Sequence, residues 1–176
     1  MRATRDWRVR QAIPDDRAFL EEIAPRLARG AAPWIDHDKL LVTMRGYLLF
    51  DLEKMGDDST VFIAVGDDHK AVGVVTVTSG SHFTDSPQAY VGELAVREEV
   101  EGQGVGSALL GAVERWARER GLPWVALDTG SRNTRARGFY TRHGYEEESV
   151  RLVKPLTRRP SSDEGGRDAD GPATDA

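Results

Sequence analysis

With 176 residues, 39% of them hydrophobic and 30% charged, the chain has the size and composition of one globular domain with a single sizeable core. Its formal net charge of -5 argues against nucleic acid as the main partner, and the absence of cysteine excludes disulfides, thiolate metal sites and a cysteine nucleophile. The first residues carry charges with no apolar run behind them, and no segment reaches the roughly 18 apolar residues that crossing a membrane requires, so a soluble cytoplasmic protein is expected.

The elements alternate along the chain. Residues 7–12 read as a short strand ended by Ile13-Pro14. Asp15 is placed to cap a helix running to about Arg29, with Phe19, Leu20, Ile23 and Leu27 on one face. A second helix is expected over about 36–55, where Leu40, Leu41, Met44, Leu48 and Leu52 fall at helical spacing before Gly56-Asp57-Asp58. Residues 61–65 and 71–77 read as paired strands around an Asp67-Asp68 turn. A polar loop over 79–88 then leads to a strand over 90–96.

A glycine loop follows, and after it a helix with Val105, Leu109, Leu110, Val113 and Trp116 on its apolar stripe, stopped by Gly121. Residues 124–127 read as a buried strand, and Asn133 opens a short helix through Phe139-Tyr140 that Gly144 ends. Residues 145–154 are expected to add one or two last strands. The order β-α-α-β-β-β-α-β-α-β describes a mixed-sheet α/β fold. Residues 158–176 lack large apolar side chains, so the folded domain is expected to span 1–157 and the rest to be a disordered polar tail.

The loop Glu101-Gly102-Gln103-Gly104-Val105-Gly106 is the strongest chemical signal. Glycines let the backbone come close to a ligand, several N–H groups converge, and the helix that follows adds partial positive charge. Ser107 adds a hydroxyl in the first turn. No Gly-Lys-Ser/Thr follows, which excludes a P-loop. A dinucleotide fingerprint is the weaker alternative: Gly102-x-Gly104 fits its first half and Asp128 suits a ribose contact, but Ser107 stands where the third glycine belongs, and residues 97–101 separate the loop from its strand.

Two motifs together resemble the GNAT superfamily of N-acetyltransferases. The first is Gly92-Glu93-Leu94-Ala95-Val96, five residues, then Gly102-Gln103-Gly104-Val105-Gly106-Ser107-Ala108-Leu109-Leu110; the second is the run from Asn133 through Ala136, Phe139 and Tyr140 to Gly144-Tyr145. The clear match covers residues 90–145. One departure is Glu101, which stands where the family usually has Gln or Arg, a carboxylate close to the expected pyrophosphate.

The resemblance implies a mostly antiparallel central sheet with a V-shaped opening between its two central strands. It also implies an acetyl-CoA whose pantetheine pairs with the strand at Leu94, Ala95 and Val96, with a backbone N–H there polarising the thioester carbonyl. The pyrophosphate falls on Glu101, Gly102, Gln103, Gly104, Val105, Gly106 and Ser107. Asn133, Arg135, Arg137 and Tyr140 complete the cofactor contacts, although a solvated basic face also explains the arginines around this helix, Arg132 and Arg142 included.

A carboxylate is needed to take the proton of a cationic amine, and Glu93 is the candidate base. Tyr140 resembles the family's general acid toward the departing thiolate. A phenol near 10 facing a thiol near 8.5 depends on positioning. The four histidines, His37, His69, His82 and His143, show no metal-type spacing. His82 with Phe83, and Trp34 with Asp36, His37 and Asp38, are further groups that could face the acceptor. The expected partners are an amine acceptor, small-molecule or protein, with a homodimer left open and neither nucleic acid nor membrane expected. A non-catalytic acetyl-CoA-binding sensor or assembly module is the alternative of a different class.

Overall fold

The computed structural model describes residues 7–156, so the expectation for the tail lies outside the described residues. The chain divides into two units, Met1–Glu146 and Glu147–Ala176. The first holds every helix and strand described.

Five strands form one sheet in the order β1-β2-β3-β4-β5. These are β1 (Arg8–Gln11), β2 (Ser59–Val65), β3 (Ala71–Ser81), β4 (Pro87–Val96) and β5 (Val125–Leu127). The first four pair antiparallel and β5 joins β4 in parallel. The helices are α1 (Arg17–Ile23), α2 (His37–Glu53), α3 (Val105–Glu119) and α4 (Thr134–Arg142).

Helices cover both faces of the sheet. Leu20 and Ile23 of α1 and Leu48 of α2 pack with Val61, Ile63 and Val74 on one face. Leu109, Val113 and Trp116 of α3 pack with Val75, Val77 and Val91 on the other. Strand alternation produces this division, because Val74 and Val75 point to opposite faces. Each of these fully buried aliphatic side chains contributes about 1.5–3 kcal/mol relative to exposure.

Three local expectations are corrected. The first helix is broken: 3-10 turns at Pro14–Asp16 and Ala24–Ala28 flank a seven-residue α-helix. Pro14 and Pro25 lie at the starts of the turns, where a missing N–H is tolerated. Asp15 does not cap it. Asp16 instead accepts from the Ile13 N–H at 2.8 Å and holds Arg10 of β1 with two hydrogen bonds of 2.7 Å.

The polar segment 79–88 is loop only over 82–86, because β3 and β4 extend as a long hairpin paired from Gly73↔Val96 to Ser81↔Pro87. Polar side chains suit these ends because they lie beyond the apolar core. Residues 145–154 form no strand. Their start, Glu146-Glu147-Glu148, places three like charges in succession, which disfavours pairing, and Leu152 is exposed.

Candidate active site

The parallel ladder between β4 and β5 covers only Ala89, Val91 and the residue between them. Beyond Val91 the two strands part, and this is the V-shaped opening expected from the sequence. β4 also carries an irregularity here: Val75 and Val77 of β3 pair with Leu94 and Val91, so Gly92 and Glu93 bulge opposite Thr76. The Glu93 N–H donates to Thr76 Oγ1 at 3.1 Å. Gly92 is required by close approach, since a Cβ there would fall 2.8 Å from Thr76 Oγ1.

A cleft of about 640 Å³ follows the opening. Its walls include Glu93, Leu94, Ala95 and Val96 of β4, then Glu101, Gly102, Gly104, Val105, Gly106 and Ser107, and on the far side Asn133, Arg135, Phe139 and Tyr140. Of the residues expected to hold the cofactor, Gln103 and Arg137 do not line it. The Gln103 amide donates to the Glu99 carbonyl, and Arg137 donates to the Ser131 carbonyl. A second cavity of about 520 Å³ lies between α2 and the sheet, and Gly92 and Glu93 line both spaces.

The loop is built to receive an anion. Gly102 and Gly104 have φ of 74° and 92°, a region that L-side chains rarely adopt, and Gly104 is the N-cap of α3. This turn presents the first N–H groups of a 15-residue helix to the cleft. Trp7 pins the loop from outside by donating its indole N–H to the Gln103 carbonyl at 2.7 Å.

Glu101 does not face the cleft as a free carboxylate. Arg26, Arg29 and Arg135 all pair with it, and Arg26 and Arg29 also bridge to Glu98. Partial burial opposes ionisation, but these guanidiniums, Arg135 foremost, hold the Glu101 carboxyl below its ordinary range. Three cations around two carboxylates leave this cluster with a net positive charge, so the Glu101 carboxylate is neutralised by tertiary partners. Phosphate groups fit this donor set of loop amides and guanidiniums.

Around the bulge the electrostatics differ. Burial, and then the charge of Asp51 on α2, push the Glu93 carboxyl up to about 7. Burial and the charge of Glu93 push the Tyr140 phenol up to about 12. Tyr90 is also raised to about 12, by burial and by donating to Asp128 Oδ2 at 2.9 Å. A carboxyl titrating near neutrality beside a phenol that stays protonated is an acid–base pair of the kind catalytic clefts hold.

Glu93, Tyr140 and Asn133, named from the sequence, all line this cleft. Asn133 also caps α4 by accepting from the Ala136 N–H at 3.1 Å. Sequence reasoning missed Asp51, Thr76, Tyr90, Trp7, Arg26 and Arg29, none of which belongs to the two motifs. It also gave His143 no role. That imidazole faces the Phe139 carbonyl through Nδ1 at 2.8 Å and Ser107 Oγ through Nε2 at 2.8 Å. With Nδ1 carrying the proton, Nε2 accepts from Ser107, which ties the end of α4 to the first turn of α3. Trp34, Asp36, His37, Asp38, His82 and Phe83 line neither cavity. Asp36 is instead the N-cap of α2, accepting from the Lys39 N–H at 3.1 Å.

Comparison with known proteins agrees with this geometry. The chain is 28% identical over 144 residues to an aminoglycoside N(6')-acetyltransferase type 1 of Stenotrophomonas maltophilia, covering 79% of this chain and 86% of that one. Its fold matches glucosamine-6-phosphate N-acetyltransferase of Arabidopsis thaliana with TM-score 0.61 at 15% identity, over 86% of this chain and 99% of the other. It also matches AAC(6')-Iy in complex with the bisubstrate analogue CoA-S-monomethyl-acetylneamine, with TM-score 0.63 at 22% identity, over 88% and 99% of the two chains. Residues 19–145 match the model of the acetyltransferase (GNAT) family, and the chain is an acetyl-transferring enzyme belonging to that family.

Proposed function

We propose that the protein transfers the acetyl group of acetyl-CoA to a primary amine by direct attack, with Glu93 as base and Tyr140 as acid. Acetyl-CoA supplies the activated thioester. The observation that carries the reading is the position of Glu93, at the point where β4 and β5 part and on the wall of both cavities. A group there meets an acetyl donor from one side and an acceptor from the other.

The cleft residues divide the work. Loop amides at the start of α3 and the guanidinium of Arg135 bind phosphates. The unpaired edge of β4 at Leu94 to Val96 offers backbone groups to an extended ligand and a donor to the thioester oxygen. Glu93 accepts a proton from the amine as its nitrogen bonds the acetyl carbon, and Tyr140 donates a proton to the sulfur as the C–S bond breaks. Transfer from a phenol near 12 to a thiolate whose thiol is near 8.5 is uphill. Burial is the main cause of the raised phenol, and the Glu93 charge adds to it. Protonation of Glu93 removes that second contribution, so taking the first proton makes the second easier to give.

The aminoglycoside acetyltransferase relative makes an amino sugar the first acceptor to test. The experiment is thermal shift with acetyl-CoA against NAD, followed by CoA release with a panel of amines that includes an aminoglycoside. Stabilisation by acetyl-CoA with amine-dependent CoA release is expected. Stabilisation by NAD alone would overturn the reading, and acetyl-CoA binding with no release on any amine would favour a non-catalytic module.

A further inference from the structure

The second cavity is lined by one face of α2. Tyr47, Phe50, Asp51 and Lys54 fall at i, i+3, i+4 and i+7, so they form a single stripe, and all four line the space together with Tyr90 and Glu93. The Tyr47 and Phe50 rings stand on a different face of α2 from Leu48, which is buried in the core. Tyr47 and Phe50 are 52% and 57% exposed, as expected of rings waiting beside an opening.

Asp51 lines this second cavity and not the donor cleft, whereas Glu93 lines both. Its carboxylate accepts from the Thr76 hydroxyl and lies against β4, 3.7 Å from where a Cβ on Gly92 would stand. Asp51 is therefore held on the wall of the second cavity, apart from the donor cleft that Glu93 also lines. A carboxylate so placed can hold a cation that stays in the cavity while a neighbouring neutral amine reacts. The rings of Tyr47, Phe50 and Tyr90 line the same space, and an aromatic wall suits a cation. Lys54 sits on the outer end of the stripe with its ammonium 5.8 Å from the Phe50 ring, leaving two carboxylates to one cation around the cavity.

We infer that Asp51 is a specificity-determining residue: it reads a second ammonium on the acceptor, so the preferred substrates are compact primary amines carrying a further positive charge. This inference rests on the proposed acetyl transfer. It assigns Glu93 the attacking amine and Asp51 the amine that does not react.

The test compares 1,4-diaminobutane with 1-aminobutane as acceptors, in the wild type and in Asp51→Asn. Asparagine keeps an acceptor for Thr76, so the β4 bulge survives, and acetyl-CoA stabilisation measured by thermal shift reports whether it has. The wild type should favour the diamine by tenfold or more in kcat/KM, and Asp51→Asn should bring the ratio close to one, chiefly through KM for the diamine. A purely structural Asp51 would lower both substrates equally and leave the ratio intact, which overturns the inference. Equal use of both amines by the wild type overturns it as well, while acetyl transfer itself stands. Calorimetric titration of 1,4-diaminobutane into the CoA complex gives a readout independent of turnover: binding weakened by Asp51→Asn supports the site, and binding unaffected by it refutes the site.

Discussion

The backbone N–H of Glu93 donates to the hydroxyl of Thr76 on the neighbouring strand at 3.1 Å, and that hydroxyl in turn donates to Asp51 on α2. This relay crosses from strand to strand to helix and fixes the β4 bulge. It sets the direction of Glu93 and brings a second carboxylate close to it. The near-neutral titration of Glu93 follows from that arrangement, burial first and Asp51 second.

The pH dependence of acetylation should therefore rise through about 7 as Glu93 ionises. Glu93→Gln should abolish that limb and lower the rate at neutral pH while acetyl-CoA affinity stays unchanged. Asp51→Asn should move the limb to lower pH, because one of the two causes of the shift is removed. Both are read from kcat/KM against pH. The stability effect has a definite sign. A carboxyl raised above its unfolded value near 4.5 binds more protons in the folded state, so stability falls as pH rises from about 4.5 to about 7. Glu93→Gln should thus melt higher than wild type at pH 8, on the order of 2–4 °C, with no gain at pH 4.

Tyr140→Phe removes one oxygen from a half-buried ring that packs against Tyr145 at 5.6 Å between centroids, so folding should survive. Turnover should fall roughly 10²–10⁴-fold, the range for a positioned proton donor. Because the phenol is held near 12, no alkaline limb from Tyr140 should appear below about pH 11 in the wild type. Wild-type rates in Tyr140→Phe would transfer the acid role elsewhere.

Gly92→Ala should be costly for a specific reason. The added Cβ would stand 2.8 Å from Thr76 Oγ1, forcing Thr76 to rotate and release the Glu93 N–H. A loss of about 1–3 kcal/mol is expected for such overpacking. The rate should fall together with a shifted pH limb. Gly80→Ala on β3 is the control, since nothing stands within 4 Å of its added Cβ. Chemical denaturation and pH–rate profiles of the two variants separate the outcomes.

Glu101→Gln should tighten acetyl-CoA binding several-fold at low salt, because Arg26, Arg29 and Arg135 are released from a competing carboxylate. The gain should shrink at high ionic strength, as the interaction is partly exposed to solvent. Arg135→Ala should weaken the same affinity without changing KM for the amine. Calorimetry at two salt concentrations checks both, and weaker binding in Glu101→Gln would show that the carboxylate organises the arginines for the phosphates.

The amino-acid sequence by itself determined the motifs and most of the elements, though not the break in the first helix or the missing strand over 145–154. The apolar stripe of α3, the glycines at 102 and 104, and the pairing of Asn133 with Tyr140 on one short helix are local in the chain, and local spacing was sufficient to read them. The tertiary structure decided the charge state of the site. Asp51 lies 42 positions before Glu93, and Arg26 lies 75 before Glu101, so no window along the chain joins them. Only the packing of α2 and of the 24–28 turn against β4 and its loop brings those charges together. Burial there sets Glu93 near neutrality, and the arginines turn an acidic loop residue into part of a net positive cluster.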